Sequence, residues 1–461
     1  MKKVIYIIAA VLCASACTDA FFERYPANSM TEGNVYKTED DFNQGAYSCY
    51  AKLKTQSGYF ITELSYRSDE SELLSMAVST QARYDYDHFL DTDANSILGN
   101  IWDAWYNGIY RCNIVLDHFK TTSLDVNTDN MKKYRGEALF IRAWYYFNLY
   151  RVFGVVPIVT QVETPGDSKN IARCSDADML DLLKEDLVSA AELLPVTRTS
   201  EKGRVTKIAA QALLGKVYLT FNMYSEAAAV LEEAMRDTGY GLESTHEAVF
   251  SQSNKMGKEM IFALTYNKSI DMGHGYWNSF TTNDDTRRIN PKPEFLAIFD
   301  KEKDSRYDFV HGTVQHGSAF VMKKWDDTYD ATYTTSVGND FPIIRYADIV
   351  LMRAEAIGLG GNISEAIPYL NRTRTRAGLD PLEAKDVPNK AAFVKELADE
   401  RGREFAFEGQ RWFDLVRLGL AVDLFRSLGY SISDVNLISP VPKTQLEIYN
   451  NDKIFWQNPG Y

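Results

Sequence analysis

Long apolar runs, paired cysteines, surplus positive charge and catalytic signatures are all missing from this chain, and each absence removes a class of function. Beyond its first dozen residues, no stretch approaches the roughly 18 consecutive apolar side chains of a membrane-crossing helix. Cysteine is scarce, at five in 461 residues. Past the first seventeen positions only Cys49, Cys112 and Cys174 remain. Three widely spaced thiols form neither a disulfide framework nor a CxxC metal spacing, so they read as buried free cysteines. Fifty basic residues against 63 acidic ones leave a net charge of −13, which repels nucleic-acid phosphates. Non-basic glycans or a protein partner suit such a surface better. No GxSxG, HExxH or GxxxxGK(S/T) pattern occurs, and "HEAVF" from His246 lacks its second histidine. The six histidines are scattered, with His311 and His316 the only near pair, so no metal is expected. "DTDANS" sets Asp91, Asp93 and Asn95 at alternate positions, as a calcium loop begins. Ser96 replaces its turn glycine and Trp102 its closing glutamate, so a solvated turn and a helix cap are expected instead. A glycosidase needs two carboxylates about 5–9.5 Å apart across a cleft, and no local signature singles out such a pair. No cofactor is implied.

What is present begins at the N-terminus. Lys2 and Lys3 precede an apolar run from Val4 to Leu12, and "ASAC" ends at Cys17, the pattern of a secretory signal. A cysteine directly after small residues resembles a bacterial lipoprotein signal, with residues 1–16 removed and Cys17 lipidated. Ala14 departs from that pattern, which usually has Leu there, and Leu12 makes Cys13 the poorer cleavage site. Loss of Lys2 and Lys3, and of no acid, would take the charge from −13 to −15. Residues 17–39 are polar and turn-rich, an extended tether.

Helical periodicity then dominates the regions 40–238 and 342–461. Helices are expected at 40–54, 97–119, 131–153, 176–194, 207–221, 225–237, 346–359, 364–377, 391–418 (broken near Gly409) and 421–427. Ser175 or Asp176, Thr206 and Ser364 offer N-terminal caps. The region 239–341 is irregular, with a few short strands such as "EMIFAL" and "AFVMKKW". An internal repeat runs through the helical parts. Gly215, Ala227 and Leu231 stand at the same offsets as Ala354, Ala366 and Leu370, those of a tetratricopeptide helix pair. The fold class is therefore mostly α, a scaffold of tetratricopeptide-like pairs with a loop-rich insertion. In such a stack a helix is covered on several sides, which accounts for "IRAWYYFNLYRVFG" at 141–154, apolar in almost every direction.

Those stretches resemble the SusD/RagB family. "RGEALFIRAWYYFNLYRVFGVVPIVT" is similar to its alanine-arginine-aromatic helix and FGxVP turn, and "CTDAFFERYP" to its lipidated start. "DFNQGAYSCYAKL", "IWDAWYNGIYRCNIVLD" and "IIRYADIVLMRAEAI" resemble further segments in the family's order. "ADERGREFAFEGQRWFDLVRLG" looks like its ERxxEFxxEGxRWFDLxR stretch, and "NPGY" like its usual ending. In that charged stretch Glu404, Glu408, Arg411 and Asp414 stand at helical spacings. A structural network, joining this helix to the 141–154 helix and its Arg142, is expected rather than acid–base work.

The resemblance implies a non-enzymatic, outward-facing outer-membrane lipoprotein of a Bacteroidetes-type cell. It would bind oligosaccharides, hold to the membrane through its lipid and serve a TonB-dependent, SusC-like transporter. Capture of peptides, as RagB-like relatives do, and a purely structural lid remain open alternatives. Sugars stack their C–H faces on aromatic rings and offer hydroxyls to planar polar groups. Three stretches supply both: Arg83, Tyr84, Asp85 and Tyr86; Tyr276, Trp277 and Asn278 between glycines; and Trp325, Asp327, Tyr329 and Tyr333. Trp102, Trp105, Trp144 and Trp412 fall on helical periods and are expected in the core.

Overall fold

In a computed structural model of the chain, described for residues 36–55, 66–73, 81–197, 201–236, 239–267, 289–316, 319–325 and 338–461, helices carry most of the architecture. The N-terminal layer is α1 (Glu39–Thr55), a short α2 (Gln81–Asp87), α3 (Ser96–Thr121), α4 (Asp129–Phe153), α5 (Asp176–Leu193), α6 (Lys207–Thr220) and α7 (Tyr224–Met235). The insertion contributes α8 (His246–Phe250) and α9 (Ser305–His311). The chain closes with α10 (Tyr346–Leu359), α11 (Ile363–Arg376), α12 (Lys390–Glu404), α13 (Arg411–Arg417), α14 (Ala421–Ser427) and α15 (Lys443–Tyr449). The expected starts hold in kind: Ser175 makes a reciprocal capping box with Asp178, and Thr206 caps α6. At α11 the cap is Asn362, two residues ahead of the expected Ser364.

The helices stack in sequence, α4 on α5, α5 on α6, α6 on α7, α7 on α10 and α10 on α11. Small residues set the spacing where expected. A methyl group added at Gly215 would lie 2.6 Å from Leu231, so α6 and α7 approach closely only because that side chain is absent. Ala354, Ala366 and Leu370 are fully buried at the equivalent points of α10 and α11. Helix α4 lies against α1, α3, α5 and α6, and Trp144, Tyr145, Tyr146, Phe147 and Phe153 are all buried. The core tryptophans Trp102, Trp105, Trp144 and Trp412 sit where their periodicity puts them.

Three two-stranded antiparallel ladders accompany the helices among the described residues. β1 (Ser71–Leu73) pairs with β3 (Ile289–Pro291), β2 (Met260–Leu264) with β6 (Phe341–Arg345), and β4 (Thr313–His316) with β5 (Ala319–Met322). "AFVMKKW" thus yields a strand for only four residues, then a 3-10 turn at Lys323–Trp325.

The charged stretch differs from its expectation in its partners. It breaks between α12 and α13, where Phe407 at φ 59° and Gly409 at φ 70° turn the chain. Asp414 and Arg417, and Glu400 and Arg403, pair along a helix as expected, but the other ions reach across the fold. Arg345, fully buried, binds Glu408 at 2.9 Å, Glu404 at 2.9 Å and Glu259 at 2.6 Å. Arg306 joins Asp304, Glu400 and Glu404, and Arg411 forks onto Asp69 at 2.7 and 2.8 Å. Arg142 takes no part: it forks onto Asp186 of α5 at 2.7 and 2.8 Å. The link from α4 to α13 is Arg151, whose guanidinium lies 3.9 Å from the Phe413 ring centre.

Candidate ligand-binding face

Helix α2 carries the first group of sequence candidates and is held from beneath by one cation. Arg67 is fully buried, donates to the Tyr86 carbonyl at 3.3 Å and to Ser439 at 3.1 Å, and pairs with Asp91. Its guanidinium also lies 4.4 Å from the Tyr86 ring and 4.9 Å from that of Phe89. This clamp explains two departures from expectation. Tyr86 is 1% exposed and faces the core, so it leaves the candidate set. Asp91 is buried against Arg67, not solvated, and is thereby spent as a calcium ligand; Asn95 does cap α3, accepting from Ile97 N at 2.9 Å. No cluster of three metal-ligating side chains occurs among the described residues.

Tyr86 faces inward while Arg83, Tyr84 and Asp85 are each half-exposed. Tyr84 stacks on His88 at 3.9 Å between ring centres and 20° between planes, and the Tyr430 ring follows at 5.7 Å. All three rings are half-buried, each with area left for a ligand. Lys292 donates to the Tyr430 hydroxyl at 2.9 Å and reaches the Ser68 carbonyl at 3.4 Å, tying the far ring to the floor of the site. Gln81 donates to Asp85 at 2.6 Å, leaving a carboxylate on the rim. The face thus offers flat apolar surface beside an amide, a carboxylate and a guanidinium. The sequence candidates omit His88, Tyr430 and Lys292. His88 stands four residues after Tyr84 in the same stretch, unread for want of an aromatic label, while Tyr430 and Lys292 lie far off in sequence and join Tyr84 only through the fold.

Trp325 is corrected. It is fully buried, stacked on Phe341 with an interplanar angle of 14° and met edge-on by Phe250, so both its faces serve the core. Its position on a 3-10 turn after β5, not in an open loop, is the physical reason. Tyr276, Trp277, Asn278, Asp327, Tyr329 and Tyr333 lie outside the described residues, as does Cys17. Leu73 pairs with Ile289, so the segment ending at residue 288 and the segment beginning at residue 74 meet the fold side by side, next to α2.

The carboxylates that might suggest acid–base chemistry have no proton to give. Burial alone would raise Glu404 and Glu408, but Arg376 and Arg345 hold the first well below the usual carboxylate range, and Arg345 with Lys324 lower the second. Asp414 is likewise lowered, against its burial, by Arg401 and Arg417. They are fixed ions of the scaffold.

Comparison with known proteins gives a consistent picture. Residues 310–461 match the profile of the SusD family, and residues 21–219 match a profile described as starch-binding and associating with the outer membrane. SusD-like protein P2 of Formosa agariphila is 26% identical, with 100% of both chains covered. A SusD superfamily protein from Bacteroides vulgatus superposes with a TM-score of 0.80 at 25% identity, covering 93% of this chain and 100% of that one. A laminarin-binding SusD-like protein gives 0.75 at 25% identity, over 92% and 100%.

Proposed function

Because this chain belongs to the SusD/RagB family, whose members are non-catalytic carbohydrate-binding proteins associated with the outer membrane, we propose that it captures oligosaccharides at the cell surface for a SusC-like, TonB-dependent transporter. The observation that carries this reading is the half-exposed run of Tyr84, His88 and Tyr430, rimmed by Arg83, Asp85 and Gln81. Adjacent pyranose rings stack on such a run while their hydroxyls meet the polar rim. Tyr276, Trp277, Asn278 and Tyr329 are proposed as further ligand contacts. Cys17 carries the lipid that holds the chain to the outer leaflet, with residues 18–39 as tether. The stacked helices form the rigid body that meets the transporter.

Affinity electrophoresis of the form beginning at Thr18, against plant, host and microbial polysaccharides, tests the proposal, with reducing ends assayed in the same tubes. Retardation by a polymer, without new reducing ends and lost on Tyr84→Ala, is the expected result. Retardation by none would shift the reading to peptide capture or to a lid alone.

A further inference from the structure

A second cavity, sharing no lining residue with the α2 face, opens between α8, α9, the end of α11 and the turn at Lys323–Trp325. Its volume is 920 Å³, at the upper end of the roughly 300–1,000 Å³ typical of small-molecule sites. Phe250 and Phe309 form apolar wall, and Thr245, Ser251, Ser253, Ser305 and Thr375 bring hydroxyls to the lining. At its base lies His246, 3% exposed, flanked by Phe250 and Phe309 at 5.5 and 5.4 Å. The His246 Nδ1 is 3.5 Å from Glu404, beyond good hydrogen-bond geometry, and neither ring nitrogen has a hydrogen-bond partner among the described residues. A buried polar group left so costs about 1–3 kcal/mol unless something supplies the bond.

Charge selects what that something is. Each basic side chain on the lining already faces a carboxylate: Lys303 faces Asp380 at 2.6 Å, Lys323 faces Asp308, Lys324 faces Glu408 at 2.7 Å, and Arg376 faces Glu259 at 2.7 Å. An anion would have to displace one of them. A cation is no better served: Asp308 is occupied by Lys323, and Glu247, the other carboxylate on the lining, is a single exposed charge. The ring itself is neutral at working pH, because burial in the company of Lys324 and Arg345 outweighs Glu404 and lowers its pKa to about 3. A neutral imidazole presents one N–H and one bare acceptor, a pair that a hydroxyl can satisfy from either side.

We propose that this cleft is a second binding site, independent of the α2 face, for an uncharged sugar whose hydroxyl meets the His246 ring while its C–H face lies on the half-exposed Phe309. The two sites contain different histidines, so one measurement reads both. In the 15N-labelled mature chain, His246 and His88 are each assigned from the resonance lost in its glutamine variant, His246 reporting the cleft and His88 the α2 face. Glucose, galactose, mannose and xylose would be added separately at high millimolar concentration, with glucuronate as the anionic control. At least one neutral sugar is expected to shift His246 and glucuronate to shift it less; the shift should persist in Tyr84→Ala and vanish in Ser253→Trp, a change at an exposed lining residue. No His246 shift with any of the four sugars overturns the proposal, as does a shift that disappears with Tyr84→Ala. A His88 response in the same spectra stands or falls separately and bears only on the α2 face.

Discussion

At the scale of single residues, identical side-chain chemistry takes opposite roles according to which faces are covered. Tyr84 leaves ring area open beside His88, whereas Trp325 gives both faces to Phe341 and Phe250. Their alanine variants should therefore separate cleanly. Tyr84→Ala should weaken glycan binding by about 1 kcal/mol, near five-fold in Kd, with thermal stability almost unchanged. Trp325→Ala should cost about 3–5 kcal/mol of stability by opening a cavity, and calorimetry would show it as a lowered Tm. Equal loss of affinity in folded Trp325→Ala would return that residue to the ligand face. Glu70 provides a pH test. Its carboxyl is buried beneath the site, accepts from Phe407 N at 2.9 Å, and is raised to about 8 by burial, with Asp69 adding to the effect. The folded chain thus keeps a proton that the unfolded chain releases above its ordinary value of 4.5. Stability contributed by this group is full below that pH and falls as pH climbs toward 8. Glu70→Gln keeps the shape and the acceptor without the charge. It should leave Tm unchanged near pH 4 and raise stability by about 4 kcal/mol at pH 8, and equal Tm values for both chains at pH 8 would refute the argument.

At the scale of elements, the helices were legible because their burial repeats at 3.6 residues, and the paired positions Gly215/Ala227 and Ala354/Ala366 were legible because close approach demands small side chains. Gly215→Val should accordingly force α6 from α7. Its Cβ alone would meet Leu231 at 2.6 Å, and overpacking of this kind costs about 1–3 kcal/mol, measurable by urea denaturation. The ion network was legible only in part. Spacing within "ERGREFAFEGQRWFDLVR" showed that charges would pair, but the partners Arg345, Arg306, Glu259 and Asp69 lie tens to hundreds of residues away, and no local period encodes them. Arg345→Met tests how much rests on them. It would leave Glu259, Glu404 and Glu408 short of a shared cation, and removing one partner of a buried pair costs about 3–5 kcal/mol. Glycan affinity of the surviving folded fraction should be retained, since no atom of the network lies on the α2 face. The binding face itself was the least legible part. Arg83, Tyr84 and Asp85 announce themselves as an aromatic-polar cluster, but Tyr430 reaches them from some 340 residues away, and the inward turn of Tyr86 depends on Arg67, which no pattern marks.

At the scale of the whole molecule, charge and anchor act against each other. The mature chain carries a net −15 by the sequence reading, and an acidic protein gains nothing from an anionic outer leaflet. On the proposed lipidation of Cys17, attachment comes from buried methylenes at about 0.8 kcal/mol per CH2 group. Cys17→Ser should therefore release the chain from whole cells into the medium. Any residual cell-bound fraction, held by the transporter alone, should grow as salt rises and screens the repulsion, with a Debye length falling from about 10 Å at 0.1 M to about 3 Å at 1 M. Attachment through attractive charge would show the opposite salt trend. Retention of Cys17→Ser on cells at every salt concentration would mean that the transporter contact, not the lipid, bears the protein, and the helical scaffold would then carry a larger and more apolar interface than the reading proposed here requires.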